Sequence, residues 1–467
     1  MIDRIFRLTE NRTTVRTELL AGLTTFLTMA YIIFVQPAVL SGAMFGMDTG
    51  MDFHAVMAAT CISAAIASAI MGLYARYPIA QAPGMGENFF FVFSAIPAAA
   101  AAGFESPWRV ALGVVLISGV LFMLVSLVGL REALINAISP SMKNGIAVGI
   151  GLFIAFIGLR NAQVILPSPG TAVTLNPHFN SPDVIVFFVG LTVASVLHAR
   201  RVRGSIMWGI AAATLCAVGL KLALPILPDS KPITESLLAT RFAIADHVVA
   251  APPSLSPTLF KADIANALSL AMWPFILIFL FMVLFDTIGT LVGVCEQGGF
   301  LVDNKLPRAR RALLSDAIGT VVGAAAGTST VTSFIESASG IEAGGRTGLT
   351  SVFVAVLFLL ALFFSPIIAM IGSYAPITAP ALVLVGAMMI QNVRKIDWSD
   401  RTESIPAFLT MIGIPLSYSI ADGLALGFIA YPVIKILSGR GRDAGWLVYG
   451  MAVVLLLYFV FVRGRLG

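Results

Sequence analysis

The sequence predicts an all-α polytopic membrane protein, and three observations carry that prediction. The 467 residues are 58% hydrophobic and only 11% charged, with mean hydropathy +0.94. A soluble chain of this length could not hide so much apolar surface. The apolar residues run in long continuous stretches, not in the period-two alternation of a membrane β-barrel. Two stretches at membrane depth break and restart, Ala82 to Phe93 (APGMGENFFFVF) and Val331 to Gly345 (VTSFIESASGIEAGG). Irregular backbone survives there only where protein buries it or where it lines a polar cavity.

The chain opens with a polar, basic cytoplasmic N-terminus, residues 1–17. It is not a cleavable signal peptide. Apolar runs and breakers then give spans at 18–42, 53–75, about 84–99, 107–130, 140–160, 182–199 and 204–224. A Pro-rich extracytoplasmic connection occupies 225–263. The second set follows at 264–294, 308–327, about 334–345, 347–373, 376–392, 403–418 and 420–437. An odd number of spans per set makes the second enter from the opposite face, the condition for an inverted repeat. We therefore expect fourteen segments in a 7+7 inverted repeat, 18–224 and 264–437. Segments 3 and 10 are half-helices, each preceded by a short strand. The tail, 438–467, carries an extra apolar run, 445–462, whose crossing the sequence leaves undecided.

Charge orients this threading. With the N-terminus in the cytoplasm, 21 of the 29 Lys and Arg residues fall on the inner side. Six fall outside: Arg109, Arg160, Lys221, Lys231, Arg241 and Lys261. The remaining pair, Arg463 and Arg465, ends the tail. This is the asymmetry of the positive-inside rule. The net charge of +5 thus reports topology and gives no reason to expect nucleic acid. The three cysteines lie in apolar spans and suggest neither a disulfide framework nor a metal site.

Asp286 stands inside an apolar span, where an aspartate costs about 2.5 to 3.5 kcal/mol. Such a residue is by default a functional one. Gly289 and Thr290 share its helical face at i+3 and i+4, and Gly289 leaves room for a small ligand. Glu336 marks the second break, beside Ser333, Ser337 and Ser339. Glu342, near Arg346, reads as a structural or interfacial pair. Glu87 and Asn88 occupy the matching place in the first half, after Pro83, Gly84 and Gly86. Phe89, directly at that break, is the ring best placed to stack on a planar ligand. Two carboxylates with amides, hydroxyls and one aromatic suit a planar, uncharged, hydrogen-bonding solute. A free anion would want Arg or Lys. There is no zinc-hydrolase, nucleophile-elbow or P-loop motif, so the sequence points to no enzyme and no cofactor. The energy for transport would come from an ion gradient.

The motifs AGLTTFLTMAYIIFVQP, QAPGMGENFFF, FDTIGTLVG and SDAIGT through TSTVTSFIESASGI make the chain resemble the nucleobase–cation symporter family 2, the nucleobase–ascorbate transporters. The resemblance covers residues 16 to 437 and is strongest to the azaguanine-type adenine, guanine and hypoxanthine permeases. It implies a core domain moving against a gate domain, proton symport of a purine base and a homodimer in the cell membrane, with sodium the less favoured ion. By this similarity Asp286 and Glu336 bind the base, Phe89 stacks on it or offers backbone, and Gly289 and Thr290 line the site. Asn88, Ser337 and Thr25 join the expected substrate-binding set, and Asp286 and Glu336 the proton-coupling set. Two departures favour the purine branch over a uracil or xanthine permease of the same family, which stands as one alternative. A His-bearing motif of the first span is replaced by Thr24 and Thr25, and the eighth span has Asp where those branches have Glu. An anion exchanger of the same architecture is the other alternative. It would need cations at the two half-helix starts, where Asn88 and Glu336 stand.

Overall fold

A computed structural model of the chain describes residues 2–128, 138–226, 230–300 and 306–457. Arg131, Lys305, Arg463, Arg465 and the end of the apolar run 445–462 lie outside them. Ten helices among the described residues are long and apolar enough to cross a membrane, and Met85–Ala101 is a shorter apolar helical stretch.

The first span is two helices, not one. Helix α1 (Val15–Met29) is capped by Thr14, whose hydroxyl accepts from the Thr17 N–H, and α2 (Ile32–Leu40) follows a turn at Ala30 and Tyr31. The hydroxyls of Thr24 and Thr28 bond back to carbonyls one turn earlier, an arrangement that bends helices. Helix α3 (Phe53–Ile70) leads through a wide turn, Met71–Ala75, to strand β1 (Gln81–Pro83). The first half-helix is α4 (Met85–Phe90), a wide turn Phe91–Ala95, and α5 (Ile96–Ala101). Helices α6 (Pro107–Val128) and α7 (Pro140–Asn161) come next.

A hairpin of β2 (Ile165–Ser168) and β3 (Ala172–Leu175) was not expected from the hydropathy pattern. Its sequence, ILPSPGTAVTL, carries a Pro-Gly turn between β-prone residues, and the hairpin is too short and too exposed to alter the apolar profile. Helices α8 (Pro182–Ala199) and α9 (Ser205–Ala223) complete the first half.

In the second half, α10 (Trp273–Gln297) starts nine residues later than the expected 264. Residues Ile264–Ala267 form a separate turn capped by Asp263, and Pro274 stands at the start of the long helix, where its missing N–H costs nothing. Then come α11 (Ala309–Ala326), β4 (Val331–Ser333) and α12 (Ser337–Glu342). Helix α12 is shorter than the expected 334–345, because Gly344 (φ 107°) ends it at once. Helices α13 (Gly348–Ala361), α14 (Ser365–Ser373), α15 (Ala375–Met389), α16 (Arg401–Ser417), α17 (Ile420–Leu437) and α18 (Trp446–Leu457) follow.

Packing sorts the long helices into two groups. In one, α3, α6, α10, α11 and α13 pack on one another, with α1 against α12 and α13, and α2 against α3. In the other, α7 packs on α15 and α16, α16 on α17, and α8 and α9 on each other and on α15. The connection reaches both. Asp183 of α8 accepts from the Leu237 and Leu238 N–H groups, while the Phe260 N–H donates to the Ala325 carbonyl of α11.

At the centre of the first group β1 and β4 pair antiparallel, with Gln81 opposite Ser333 and Pro83 opposite Val331. Each strand leads into its own half-helix, so α4 and α12 leave the crossing in opposite directions. The pairing satisfies backbone groups that hydrocarbon could not. Bonds from Gly84 N–H to Thr330 O (3.1 Å) and from Phe334 N–H to Ala80 O (3.0 Å) extend it at both ends.

Candidate functional site

The site is built where α10 passes this strand crossing. Asp286 lies midway along α10, and its carboxylate accepts from the Thr332 hydroxyl of β4 at 2.8 Å. It is solvent-exposed, although Leu284, two positions earlier, and Thr287, one later, are fully buried. Gly289, one turn on, is exposed too, and a Cβ added there would meet nothing within 4 Å. Gly293, a further turn on, is equally open. These three positions, spaced i, i+3 and i+7, form an open face running from mid-span to the C-terminal end of α10. Thr290, at 8% exposure, flanks it.

Glu336 immediately precedes α12 and is half-buried. Its carboxylate accepts from the Tyr31 hydroxyl at 2.8 Å. Tyr31 lies in the turn between α1 and α2, so the break in the first span is what delivers this donor. Glu87, 3% exposed, sits in the first turn of α4. Gly84 makes room for it: a Cβ there would lie 2.3 Å from Glu87 Oε2 and 2.9 Å from the Thr332 methyl.

A fourth carboxylate completes the group. Asp316 of α11 has no solvent exposure and accepts from the Ser333 hydroxyl (2.9 Å) and N–H (3.2 Å). Asp286 interacts electrostatically with Glu87, Asp316 and Glu336 alike. Among the described residues no Lys or Arg forms an ion pair with any of the four. Close carboxylates without a cation cannot all stay charged at low cost, so the site has a place for protons or for a hydrogen-bonding ligand.

The structure thus gathers Asp286, Gly289, Thr290 and Glu336 of the expected residues around the crossing. The other four are enclosed. Asn88 and Phe89 have no exposure. The Asn88 amide oxygen accepts from the Ser329 hydroxyl, and the Phe89 ring packs among aromatics. The Ser337 hydroxyl accepts from the Ala80 N–H (3.0 Å), tying α12 to the start of β1. Thr25 is fully buried against Gly340. Arg346 donates to the Ile341 and Gly345 carbonyls, closing the end of α12.

Sequence reasoning passed over Tyr31, Thr332 and Asp316. Asp316 had a legible signal, the carboxylate of SDAIGT inside an apolar run. Tyr31 and Thr332 had none, because a Tyr or Thr in a span is cheap and common, and only the chain crossing brings them to a carboxylate.

Comparison with known proteins agrees with this architecture. The guanine/hypoxanthine permease PbuG of Bacillus subtilis is 42% identical over 98% of this chain and 99% of its own. The adenine permease AdeP of Escherichia coli is 39% identical over 99% of this chain and 96% of its own. The transmembrane domain of the cyanobacterial bicarbonate transporter BicA shares the fold, with a TM-score of 0.62 at 15% identity over 88% of this chain and 97% of that one. A family model described as "Permease family" matches residues 16–426. The chain belongs to that permease family, the nucleobase–ascorbate transporters, and is a multi-span membrane transporter and not an enzyme.

Proposed function

We propose that this permease imports purine bases (adenine, guanine or hypoxanthine) across the cell membrane by proton symport. The observation that carries the reading is the open face of Asp286 and Gly289 beside Glu336, with no cation among the described residues paired to either acid. A purine edge offers N–H donors to a carboxylate and ring nitrogens that accept from a protonated one. Relatives named as adenine and guanine/hypoxanthine permeases align end to end with this chain, which supports the purine assignment.

Asp286 is the proposed proton carrier and Glu336 the principal base ligand. Protonated Asp286 donates to the base, so proton and substrate bind in one site and release together. The two packing groups act as core and gate of a 7+7 inverted repeat. The core slides in an elevator-like motion that exposes the site to either side in turn, in a homodimer with the N-terminus in the cytoplasm. An anion exchanger is the competing reading, since the fold is shared with a bicarbonate transporter. Among the described residues no cation pairs with the site's acids, which argues against it.

Uptake of radiolabelled adenine, guanine, hypoxanthine, uracil and sulfate in a transport-deficient host tests this. Accumulation of purines alone, collapsing when the proton gradient is dissipated, is the expected result. Accumulation of sulfate or uracil instead, or purine uptake that follows a sodium gradient, would overturn it.

A further inference from the structure

Beside the first half-helix the two helix groups meet in a stack of rings. Phe93 of the turn after α4 lies 4.8 Å from Phe45, 5.8 Å from Phe153 and 5.2 Å from Tyr418, centroid to centroid. Phe153 and Tyr418 are 5.3 Å apart. Most of these contacts are edge-to-face, with planes crossing at 81° to 83° for the three pairs among Phe93, Phe153 and Tyr418. That is a favourable geometry for aromatic pairs. The Arg160 guanidinium lies 5.2 Å from the centroid of the Tyr418 ring.

Three features make this more than core packing. The rings come from both helix groups: Phe45 and Phe93 from the group that carries the site, Phe153, Arg160 and Tyr418 from α7 and the loop between α16 and α17. Exposure falls steadily inward: Arg160 is exposed, Tyr418 and Phe93 are half-buried, and Phe89 and Phe153 are at 0%. Phe89, the last ring, stacks parallel to Phe93 and directly follows Asn88 at the helix break. The stack therefore runs from exposed Arg160 inward to Phe89 at the first half-helix, while Asp286, Gly289 and Gly293 are exposed along α10. Tyr418 is also held in a left-handed conformation (φ 53°), uncommon for a bulky residue and costly unless its neighbours hold it.

We propose that Phe93, Phe153 and Tyr418 form the extracytoplasmic gate of this transporter, with Arg160 over Tyr418 as its latch. Arg160 is one of the few basic residues on the side that the charge asymmetry places outside. The structure is then a state closed outward and open inward. Opening outward separates the two helix groups at the Phe93–Phe153 and Phe93–Tyr418 contacts and uncovers Phe89. Rings suit such a seal: they exclude water when interlocked, yet leave no buried charge unpaired when they part.

The proposal rests on the transport reading, which adenine counterflow by the parent protein tests separately. Two reporters read the gate itself in a background carrying Cys61→Ala, Cys216→Ala and Cys295→Ala. Phe153→Cys is packed against Tyr418, and Ile335→Cys directly precedes Glu336, where Ile335 is 53% exposed. A membrane-impermeant maleimide is applied to intact cells and to inside-out vesicles. Ile335→Cys is expected to react only in the vesicles and Phe153→Cys to be protected in cells. Adding Tyr418→Ala or Arg160→Ala should raise outer labelling of Phe153→Cys by about threefold to thirtyfold, the range of a lost cation–π contact, without raising inner labelling of Ile335→Cys. Tyr418→Phe keeps the ring and should leave both rates near the parent's. A rise at both reporters means a loosened fold and overturns the gate, as does an unmoved Phe153→Cys or labelling of Ile335→Cys in cells. Should Phe153→Cys fail to fold, the pair Phe93→Cys and Tyr418→Cys replaces it. A short bis-methanethiosulfonate, which joins the two thiols through disulfides, should then block counterflow, and a reductant that cleaves those disulfides should restore it. Full counterflow by the crosslinked protein refutes the gate.

Discussion

The Tyr31 hydroxyl donates to the Glu336 carboxylate across 2.8 Å, joining the turn in the first span to the start of the second half-helix. The two residues are 305 positions apart in the chain. A hydrogen bond to a charged group is worth about 1.5 to 3 kcal/mol. Tyr31→Phe should therefore free Glu336 to turn and weaken purine binding by about tenfold or more, while Glu336→Gln should weaken it by about ten- to a hundredfold. Equilibrium binding of radiolabelled purine to purified protein measures both. Unchanged affinity in both variants would remove Glu336 from the ligand set.

Asp286→Asn mimics a permanently protonated acid. Purine should still bind, but its affinity should no longer rise as pH falls, because binding and protonation are reciprocally linked only through a group that titrates. The variant should exchange base and fail to concentrate it. Counterflow and gradient-driven uptake in liposomes separate these properties. Concentrative uptake by Asp286→Asn would move proton carriage to Glu336, Glu87 or Asp316.

Gly340→Ala should destabilise the half-helix. The added Cβ would stand 2.0 Å from the Thr25 hydroxyl oxygen and 2.7 Å from the Ala21 carbonyl oxygen. Overpacking of this kind costs about 1 to 3 kcal/mol, and the backbone contact resists relief. Thr25→Ala should rescue it only in part, as read by thermal unfolding in detergent. Full rescue would show that the Ala21 carbonyl yields easily.

Lys435 is 1% exposed and pairs with Glu403 at 2.8 Å, where α17 ends beside the start of α16. The Tyr431 hydroxyl donates to the same carboxylate at 2.8 Å. Lys435→Met leaves that acid without its cation, and breaking a buried pair on one side costs about 3 to 5 kcal/mol. The double variant Lys435→Met, Glu403→Gln should recover much of the loss. Equal melting temperatures for single and parent proteins would show the pair to be solvated.

Asp400, capping α16, is held down at about 2 by the Thr402 hydroxyl and, beyond burial, which opposes the shift, by Arg440. Its folded value lies below the ordinary 3.8. The stability it contributes is thus complete above about pH 4 and lost as pH falls through about 2. The melting temperatures of the parent and Asp400→Asn should converge across that window. A gap that persists at pH 2 would contradict the assignment.

The membrane class and the two broken segments were legible in the sequence, because hydropathy and backbone breaks are local properties. Asp286 and Glu336 stood out for the same reason: a carboxylate in hydrocarbon is costly wherever the chain goes. Helical spacing put Gly289 on the face of Asp286, and the tertiary structure left that face open. The tertiary structure decided what depends on chain crossing. It brought Tyr31 to Glu336, Thr332 to Asp286 and Asp316 to Ser333 at the end of β4. It enclosed Asn88, Phe89, Ser337 and Thr25, which sequence order had set beside the open residues. The hairpin and the late start of α10 also escaped the hydropathy profile, since a short exposed strand and a capped turn barely change a windowed average. Which side of a helix faces water inside a membrane protein is set by its neighbours, and no single segment carries that information.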